Sequence, residues 1–305
     1  MGASSLSWSR ARGSSVDPRL VVALAVVWLV WGSTYLAMRV AVAALPPFLM
    51  AGARFVLAGG ALLAYVKMRG GDLPNVRAWV FAAPIGALLF LIGNGFVVVA
   101  EQTLPSSVAA VVCATTPLVA TGFAALRGER PRRVEVAGMA LGFGGVVLLG
   151  VGSPLATGGG RGLLVVLAPL GWAAGSLLAR AVGGGLGAAA AQMIAGGLWM
   201  LAVAAISGER LPAEIVWSSA AAWLYLVVFG SIVGFSAYSW LLCNARPAVA
   251  MSYAYVNPVI AVLLGAVLGG ERLGWATLGA TSLIASGVMV AVVLARRSAS
   301  PPRRR

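Results

Sequence analysis

Two prolines, Pro117 and Pro258, stand 141 residues apart, each about midway along an apolar run. A proline inside a helix cannot donate to the carbonyl four residues earlier, so these two would release the carbonyls of Cys113 and Ala254. Such groups are tolerated only where protein or a wet cavity can satisfy them, or where the kink simply improves packing. The neighbours suit a polar cavity: Thr115 and Thr116 precede one proline, and Ser252, Tyr253, Tyr255 and Asn257 precede the other. Hydroxyls and amides of this kind could orient a zwitterion, a sugar or another polar metabolite.

Further polar or amphipathic residues interrupt other apolar runs: Trp31, Thr34 and Tyr35, then Asn94, Trp172 and Ser176, Gln192, and Ser231 and Tyr238. Taken singly, each serves equally as helix-to-helix contact or as part of an interfacial aromatic belt. Arg54 lies some distance into its run, where an unpaired charge is costly and needs a partner or a route to water. Glu101, predicted at the same end of the bundle, is the expected partner in a buried ion pair; snorkelling of the arginine to the interface is the alternative.

Several chemistries are excluded by what the chain lacks. There is no histidine, which removes the commonest proton shuttle and the usual base of serine and cysteine hydrolases. The one lysine, Lys67, follows Val66 outside any phosphate-binding glycine loop, so no ATP motor is encoded. The glycine-rich stretches at 158–162 and 183–187 read as connections. Cys113 and Cys243 lack metal-ligand spacing and read as packing residues. No carboxylate sits in the middle of an apolar run, so a conventional acidic proton relay is not visible. No metal and no cofactor is expected, and the chain does not read as an enzyme.

These residues must be positioned by helices that live in lipid. Of 305 residues, 60% are hydrophobic and only 10% charged, against about a quarter charged in a soluble domain. A bilayer core of about 30 Å needs about 20 apolar helical residues. Ten runs meet that length, near Leu20 to Met38, Pro47 to Val66, Trp79 to Ala100, Pro105 to Leu126, Val134 to Val151, Leu163 to Val182, Gly187 to Ile206, Ala220 to Leu242, Pro247 to Leu268 and Gly274 to Ala295. Several breaks span only a handful of residues, which demands tight antiparallel hairpins and leaves no room for a soluble domain. The first run is too long for a signal-peptide core and reads as an uncleaved helix. Leu6 stands where a myristoylation signal requires Ser or Thr.

The net charge of +14 could suggest nucleic acid, but the arginines sit in short breaks between apolar runs rather than on aromatic-flanked basic faces. They report orientation instead. With the amino terminus in the cytoplasm, Arg10, Arg12, Arg19, Lys67, Arg69, Arg77, Arg127, Arg130, Arg132, Arg133, Arg180, Arg246 and the arginines from Arg296 onward all fall inside. The other side receives only Arg161, Arg210 and Arg272, while Arg39 and Arg54 fall at or within helices. The asymmetry predicts both termini inside and therefore an even number of spans.

An internal repeat appears at an offset of 141: Trp31 with Trp172, Arg39 with Arg180, Gly93 with Gly234, Pro117 with Pro258, and Gly138 with Gly279. One residue out of register, Gly128-Glu129-Arg130 recurs as Gly270-Glu271-Arg272. Five helices per copy is an odd number, so the second copy enters the membrane from the opposite face, and a substrate site is expected near the midplane between halves. The predicted fold is an all-α membrane protein with ten transmembrane helices in two inverted five-helix repeats. Its parts are a basic tail at 1–19, a first repeat at 20–151, a linker at 152–162, a second repeat at 163–295 and a basic tail at 296–305. Gly138 and Gly142, Gly171 and Gly175, Gly230 and Gly234, and Gly265 and Gly269 have the spacing that lets helices approach closely.

With Trp31-Gly32-Ser33-Thr34-Tyr35, Pro46-Pro47 followed by Ala53-Arg54-Phe55, and both proline regions leading to Gly-Glu-Arg, the chain resembles the EamA-type carriers of the drug/metabolite transporter superfamily over about residues 20–295. The resemblance implies two EamA repeats, a multi-pass inner-membrane location and often export of amino acids or related metabolites. It also implies a cavity lined by the first, third, fourth, sixth, eighth and ninth helices, which supports Trp31, Asn94, Thr116, Trp172, Tyr238 and Asn257. Thr34, Tyr35, Ser176 and Tyr253 complete the expected substrate-binding set. Ala195 stands at the offset matching Arg54, so that arginine is not a symmetric element. The small four-helix multidrug relatives depend on a glutamate in their first helix, and none occurs between Leu20 and Met38.

The expected function is secondary transport, with efflux of a small polar metabolite such as an amino acid by alternating access. Translocation of a lipid-linked or nucleotide sugar, a non-transporting scaffold and a non-histidine enzyme are the competing readings. The expected partners are a small-molecule substrate and the lipid bilayer, without nucleic acid. A homodimer is compatible with the sequence, which leaves oligomeric state, coupling ion and direction open.

Overall fold

The computed structural model describes residues 17–126, 128, 133–150, 159–244 and 253–290. Most of both basic tails, residues 152–158 of the expected linker, Arg127, Glu129, Arg130, Arg132, Arg246 and Ser252 lie outside the described residues.

Every regular element among the described residues is helical. Helix α1 is Pro18–Val42, started by Pro18 and by the Asp17 carboxylate, which accepts from the Arg19 N–H at 2.9 Å. Helix α2 is Pro47–Met68, again with proline in the first turn. Helix α3, Val76–Ala100, begins where the Asn75 side chain accepts from the Ala78 N–H. Its middle, Ala87–Gly95, widens to a π-helix. Helix α4 is interrupted, running Ser106–Cys113 and then Thr116–Leu126. Helix α5 is Arg133–Gly150, and α6 is Gly159–Val182. Three consecutive positive-φ glycines, Gly183 to Gly185, turn the chain directly into α7, Gly185–Ile206. Helix α8 runs through Trp217–Tyr225, a π-helical Leu226–Val233 and Gly234–Asn244. Helices α9, Tyr253–Val267, and α10, Trp275–Met289, complete the order.

Among the described residues, seven helices are long and apolar enough to cross a membrane: α1, α2, α3, the stretch Ser106–Phe123 of α4, α6, α7 and α8. The remaining helices, α5, α9 and α10, each adjoin residues outside the description, and two of them carry shorter apolar stretches among the described residues, Val136–Leu148 and Val256–Val267. Helices α9 and α10 are 15 residues each, one beginning and the other ending beside residues outside the description.

Lipid is as apolar as a leucine side chain, so greasiness cannot drive these helices together and close fit must do so. Helix α2 packs along α7 and α5 along α10. Helix α1 packs on α8 and α9, while α6 packs on α3 and α4. Glycine makes these approaches. A Cβ on Gly196 of α7 would stand 2.5 Å from the Phe90 Cβ and 2.7 Å from the Gly86 carbonyl of α3. One on Gly287 of α10 would meet the Gly138 carbonyl of α5 at 2.6 Å. Of the four spaced glycine pairs, Gly171 and Gly175 press α6 onto Ile92 and Leu89, whereas Gly230 and Gly234 make room for Arg54 and Trp31.

Gly196→Leu should therefore drive α7 off α3 and lower the melting temperature of the detergent-solubilised protein, by an overpacking cost of about 1–3 kcal/mol. Gly122→Ala, where an added Cβ meets nothing within 4 Å, should leave melting unchanged or slightly raised. Equal melting of the two variants would contradict this account of the packing.

Candidate functional site: a polar and aromatic cavity

The Trp31-Gly32-Ser33-Thr34-Tyr35 segment of α1 organises the centre of the bundle. Gly32 has no side chain because Ile260 of α9 occupies the space, its Cβ 2.7 Å from where a glycine Cβ would project. The Ser33 hydroxyl lies 2.6 Å from the Tyr225 hydroxyl of α8, and Thr34 returns its hydroxyl to the Trp31 carbonyl at 2.7 Å. Trp31 is the hub of an aromatic cluster. Its ring centroid lies 6.1 Å from Trp172, 5.3 Å from Phe235, 5.0 Å from Tyr238 and 5.1 Å from Tyr253, mostly edge to face.

The irregular helices supply polar groups at this depth. In α8 the Gly230 carbonyl, within the π-helical turn, accepts from the Trp31 indole N–H at 3.1 Å. In α4 the break before Pro117 is healed by the two threonines: Thr116 donates its hydroxyl to the Cys113 carbonyl and Thr115 to the Val112 carbonyl, each at 2.7 Å. The carbonyl that Pro117 leaves free is thus taken by its own neighbour. Pro258 is buried within α9 without breaking it. One turn of the Asn257 amide satisfies its surroundings, its nitrogen then donating to the Trp28 carbonyl at 3.2 Å and the Tyr253 carbonyl at 3.3 Å.

Between these elements lies a cavity with about 90 Å³ open to the centres of water-sized molecules, room for several rather than a packing flaw. Its wall includes Trp31, Thr34 and Tyr35 of α1, Asn94 of α3, Thr116 of α4, Trp172 of α6, and Tyr253 and Asn257 of α9. Arg54 belongs to it as well. Two residues expected there are elsewhere: Ser176 does not line it, and Tyr238 stands behind the wall, against Trp31 and Tyr253. Residues that sequence reasoning missed are Met38, Gly93, Val97, Cys113, Ala168, Pro169 and Phe235. Gly93 belongs to the repeat, which was its one available signal; the apolar residues carry none.

The ion pair expected between Arg54 and Glu101 is not formed. Both side chains are buried, each 3% exposed. The Arg54 Nε donates to the Ser231 hydroxyl of α8 at 2.8 Å, its guanidinium carbon lies 4.6 Å from the Phe55 ring centroid, and its Nη1 has no hydrogen-bond partner among the described residues. Neither carboxylate oxygen of Glu101 has one either. Arg54 turns toward α8 because Gly230 leaves room there: a Cβ on it would stand 3.0 Å from the Arg54 Nη2.

The ion pair that does form is Arg39 with Glu271. The Glu271 carboxylate also accepts from Ser106 through its N–H (2.8 Å) and hydroxyl (2.6 Å), and from both corresponding groups of Ser107. It caps the start of α4 and ties it to α1 and to the α9–α10 connection. Burial favours the neutral acid, yet these donors hold the Glu271 carboxyl below the ordinary carboxylate value. Glu209 does the same for α2, accepting from the N–H groups of Phe48 (3.3 Å) and Leu49 (2.8 Å). Gly208 and Gly270 precede these glutamates with φ of +68° and +62°, each ending a helix so that the next side chain can reach back. The third Gly-Glu-Arg, at 208–210, was the overlooked signal.

A bundle of apolar helices around a polar, aromatic-walled cavity is the architecture of a multi-pass membrane transporter. The EamA-like transporter family matches the chain twice, over residues 19–151 and 161–293. The inner membrane transporter YedA of Escherichia coli strain K12 is 44% identical over 276 residues, 89% of each chain. The aromatic amino acid exporter YddG of Ancylobacter novellus is 32% identical over 287 residues, 88% of this chain and 95% of that one. A solved crystal structure at 25% identity superposes with a TM-score of 0.63, covering 93% of this chain and all of the other. This chain belongs to the EamA-like transporter family of the drug/metabolite transporter superfamily, and is a membrane transporter rather than an enzyme.

Glu271→Gln should lower the melting temperature by removing charge-assisted bonds, at a cost of about 1.5–3 kcal/mol. Because the folded carboxyl titrates below its ordinary value, wild type should hold this advantage at neutral pH and lose it as pH falls through that lowered value. Two melting curves that stay equally far apart in acid and at neutral pH would refute the assignment.

Proposed function

We propose that the chain crosses the inner membrane ten times as two inverted five-helix repeats, with both termini cytoplasmic, and exports a small polar metabolite such as an amino acid by alternating access. The observation that carries this reading is the cavity, whose wall draws on α1 to α4 from one half and α6, α8 and α9 from the other. The packing supports the inversion. Helices α2 and α7 correspond under the 141-residue offset and pack on each other, as do α5 and α10. Helix α1 packs on α8 and α9, and its counterpart α6 packs on the counterparts α3 and α4. The π-helical segments also fall in corresponding helices, α3 and α8. Such a two-fold relation is what lets one half rock against the other around a fixed site.

The inner-membrane location is supported by the relative named as an inner membrane transporter, and export of an amino acid by the relative named as an aromatic amino acid exporter. The cavity agrees with that cargo: aromatic faces from Trp31, Trp172 and Tyr253 beside Thr34, Asn94 and Thr116. Its small volume favours an amino-acid-sized molecule over a lipid-linked or nucleotide sugar.

Vesicles containing the purified protein and loaded with labelled phenylalanine, tryptophan or tyrosine should release label faster than protein-free vesicles. Asn94→Leu should slow release several-fold with unchanged melting, because among the described residues the one hydrogen-bond contact of that side chain is a 3.9 Å approach to the Met38 sulfur. Release equal to that of empty vesicles for all three amino acids would refute the proposed cargo. Reporters fused to the two ends should both report the cytoplasm; one on each side would refute the inverted repeat.

A further inference from the structure

Arg54 is a buried cation that no carboxylate neutralises at ion-pair distance among the described residues, the one ion pair found there being Arg39 with Glu271. Its Nε is committed to the Ser231 hydroxyl at 2.8 Å, and the Phe55 ring lies 4.6 Å from the guanidinium carbon. Its Nη1 is shielded from bulk solvent and bonded to nothing among the described residues, and the side chain forms part of the cavity wall. In the same wall, the Asn94 Oδ1 is a buried acceptor with no donor. Leaving a buried guanidinium donor and an amide acceptor without a protein partner is costly in a low-dielectric interior. Their presence beside an aromatic-walled cavity points to a ligand that satisfies both.

We infer that Arg54 is the carboxylate anchor of the transported substrate, its free Nη1 donating to the substrate's carboxylate while the Asn94 Oδ1 accepts from its ammonium group. This rests on the transport reading above and narrows it: the cargo is a free amino acid with an intact α-carboxylate, its side chain lying against Trp31 and Trp172. Ser231 is a positioning residue that aims the guanidinium through Nε, and Gly230 is the space that admits it. Glu101 makes no hydrogen bond to Arg54 and no ion pair with it, both its oxygens being unbonded among the described residues.

The test compares export of L-phenylalanine with that of L-phenylalaninamide and L-phenylalanine methyl ester from vesicles carrying the full chain. Wild type should prefer the free acid by roughly tenfold to a hundredfold. Arg54→Gln should lose that preference by slowing the acid alone. Ser231→Ala, which keeps the charge, should raise KM for the acid several-fold and leave any residual flux of the amide unchanged, so the inference stays testable even if the arginine variant folds poorly. Any of these outcomes overturns it: Arg54→Gln folding and carrying the acid as well as wild type; wild type carrying amide and ester as fast as the acid; Glu101→Gln abolishing the acid preference as completely as Arg54→Gln; or Ser231→Ala leaving the acid's KM unchanged. The first two leave export itself standing. A wild type that moves none of the three probes overturns the inference and the proposed export of aromatic amino acids together.

Discussion

Inside a bilayer there is no water to complete an interrupted helix, and this constraint decides where the irregular parts of the chain can be. Pro117 interrupts α4, and Thr116 takes up the released Cys113 carbonyl within the same turn. In the π-helical turn of α8, the Trp31 indole comes from another helix to meet the Gly230 carbonyl. One residue on, the Ser231 hydroxyl accepts from the Arg54 Nε of a third. These repairs converge on one place, and two of the buried polar atoms left without a partner among the described residues, the Arg54 Nη1 and the Asn94 Oδ1, belong to side chains of the cavity wall there. The site lies where the bundle's irregular helices meet.

The same absence of water explains the glycines. Association in lipid depends on fit and on backbone approach, so glycine contributes by what it lacks. Gly86 and Gly196 let α3 and α7 come together, and Gly138, Gly142 and Gly287 do so for α5 and α10. At Gly230 and Gly234 the vacated space goes to functional side chains, Arg54 and Trp31, rather than to another backbone. A small-residue spacing read from sequence cannot separate these uses, because the difference lies in what the neighbouring helix presents.

Much of the cavity was legible because its residues are chemically out of place. A tryptophan, asparagine or threonine inside an apolar run is expensive in lipid, and Trp31, Asn94, Thr116, Trp172 and Asn257 could be picked out one helix at a time. The partner of Arg54 could not. Helix lengths put Arg54 and Glu101 toward the same end of the bundle, but which way a side chain faces depends on rotation about the helix axis. In α8 the π-turn shifts that rotation and brings Ser231 to the arginine. The Glu271 clasp was hidden for a related reason: it joins residues 165 positions apart, and only the assembled bundle brings the start of α4 to the α9–α10 connection. Its local half was visible in the Gly-Glu-Arg tripeptides at 208–210 and 270–272, where the glycine ends one helix and the glutamate turns back toward another.

The two arginines near this end of the bundle show how much follows from the choice of counter-ion. Arg39 is partly exposed and meets a carboxylate already held by two serines, an arrangement that fixes helices in place. Arg54 is buried and meets a hydroxyl and an aromatic face, partners that orient a guanidinium without neutralising it. A carrier has to take its ligand up and let it go. An arginine locked to a buried carboxylate would oblige each incoming substrate to displace an ion pair, while one with no support would have to be ordered anew in every cycle. A single neutral hydrogen bond from Nε lies between these extremes: it holds the planar group in orientation and leaves its remaining charge to be matched by whatever enters the cavity.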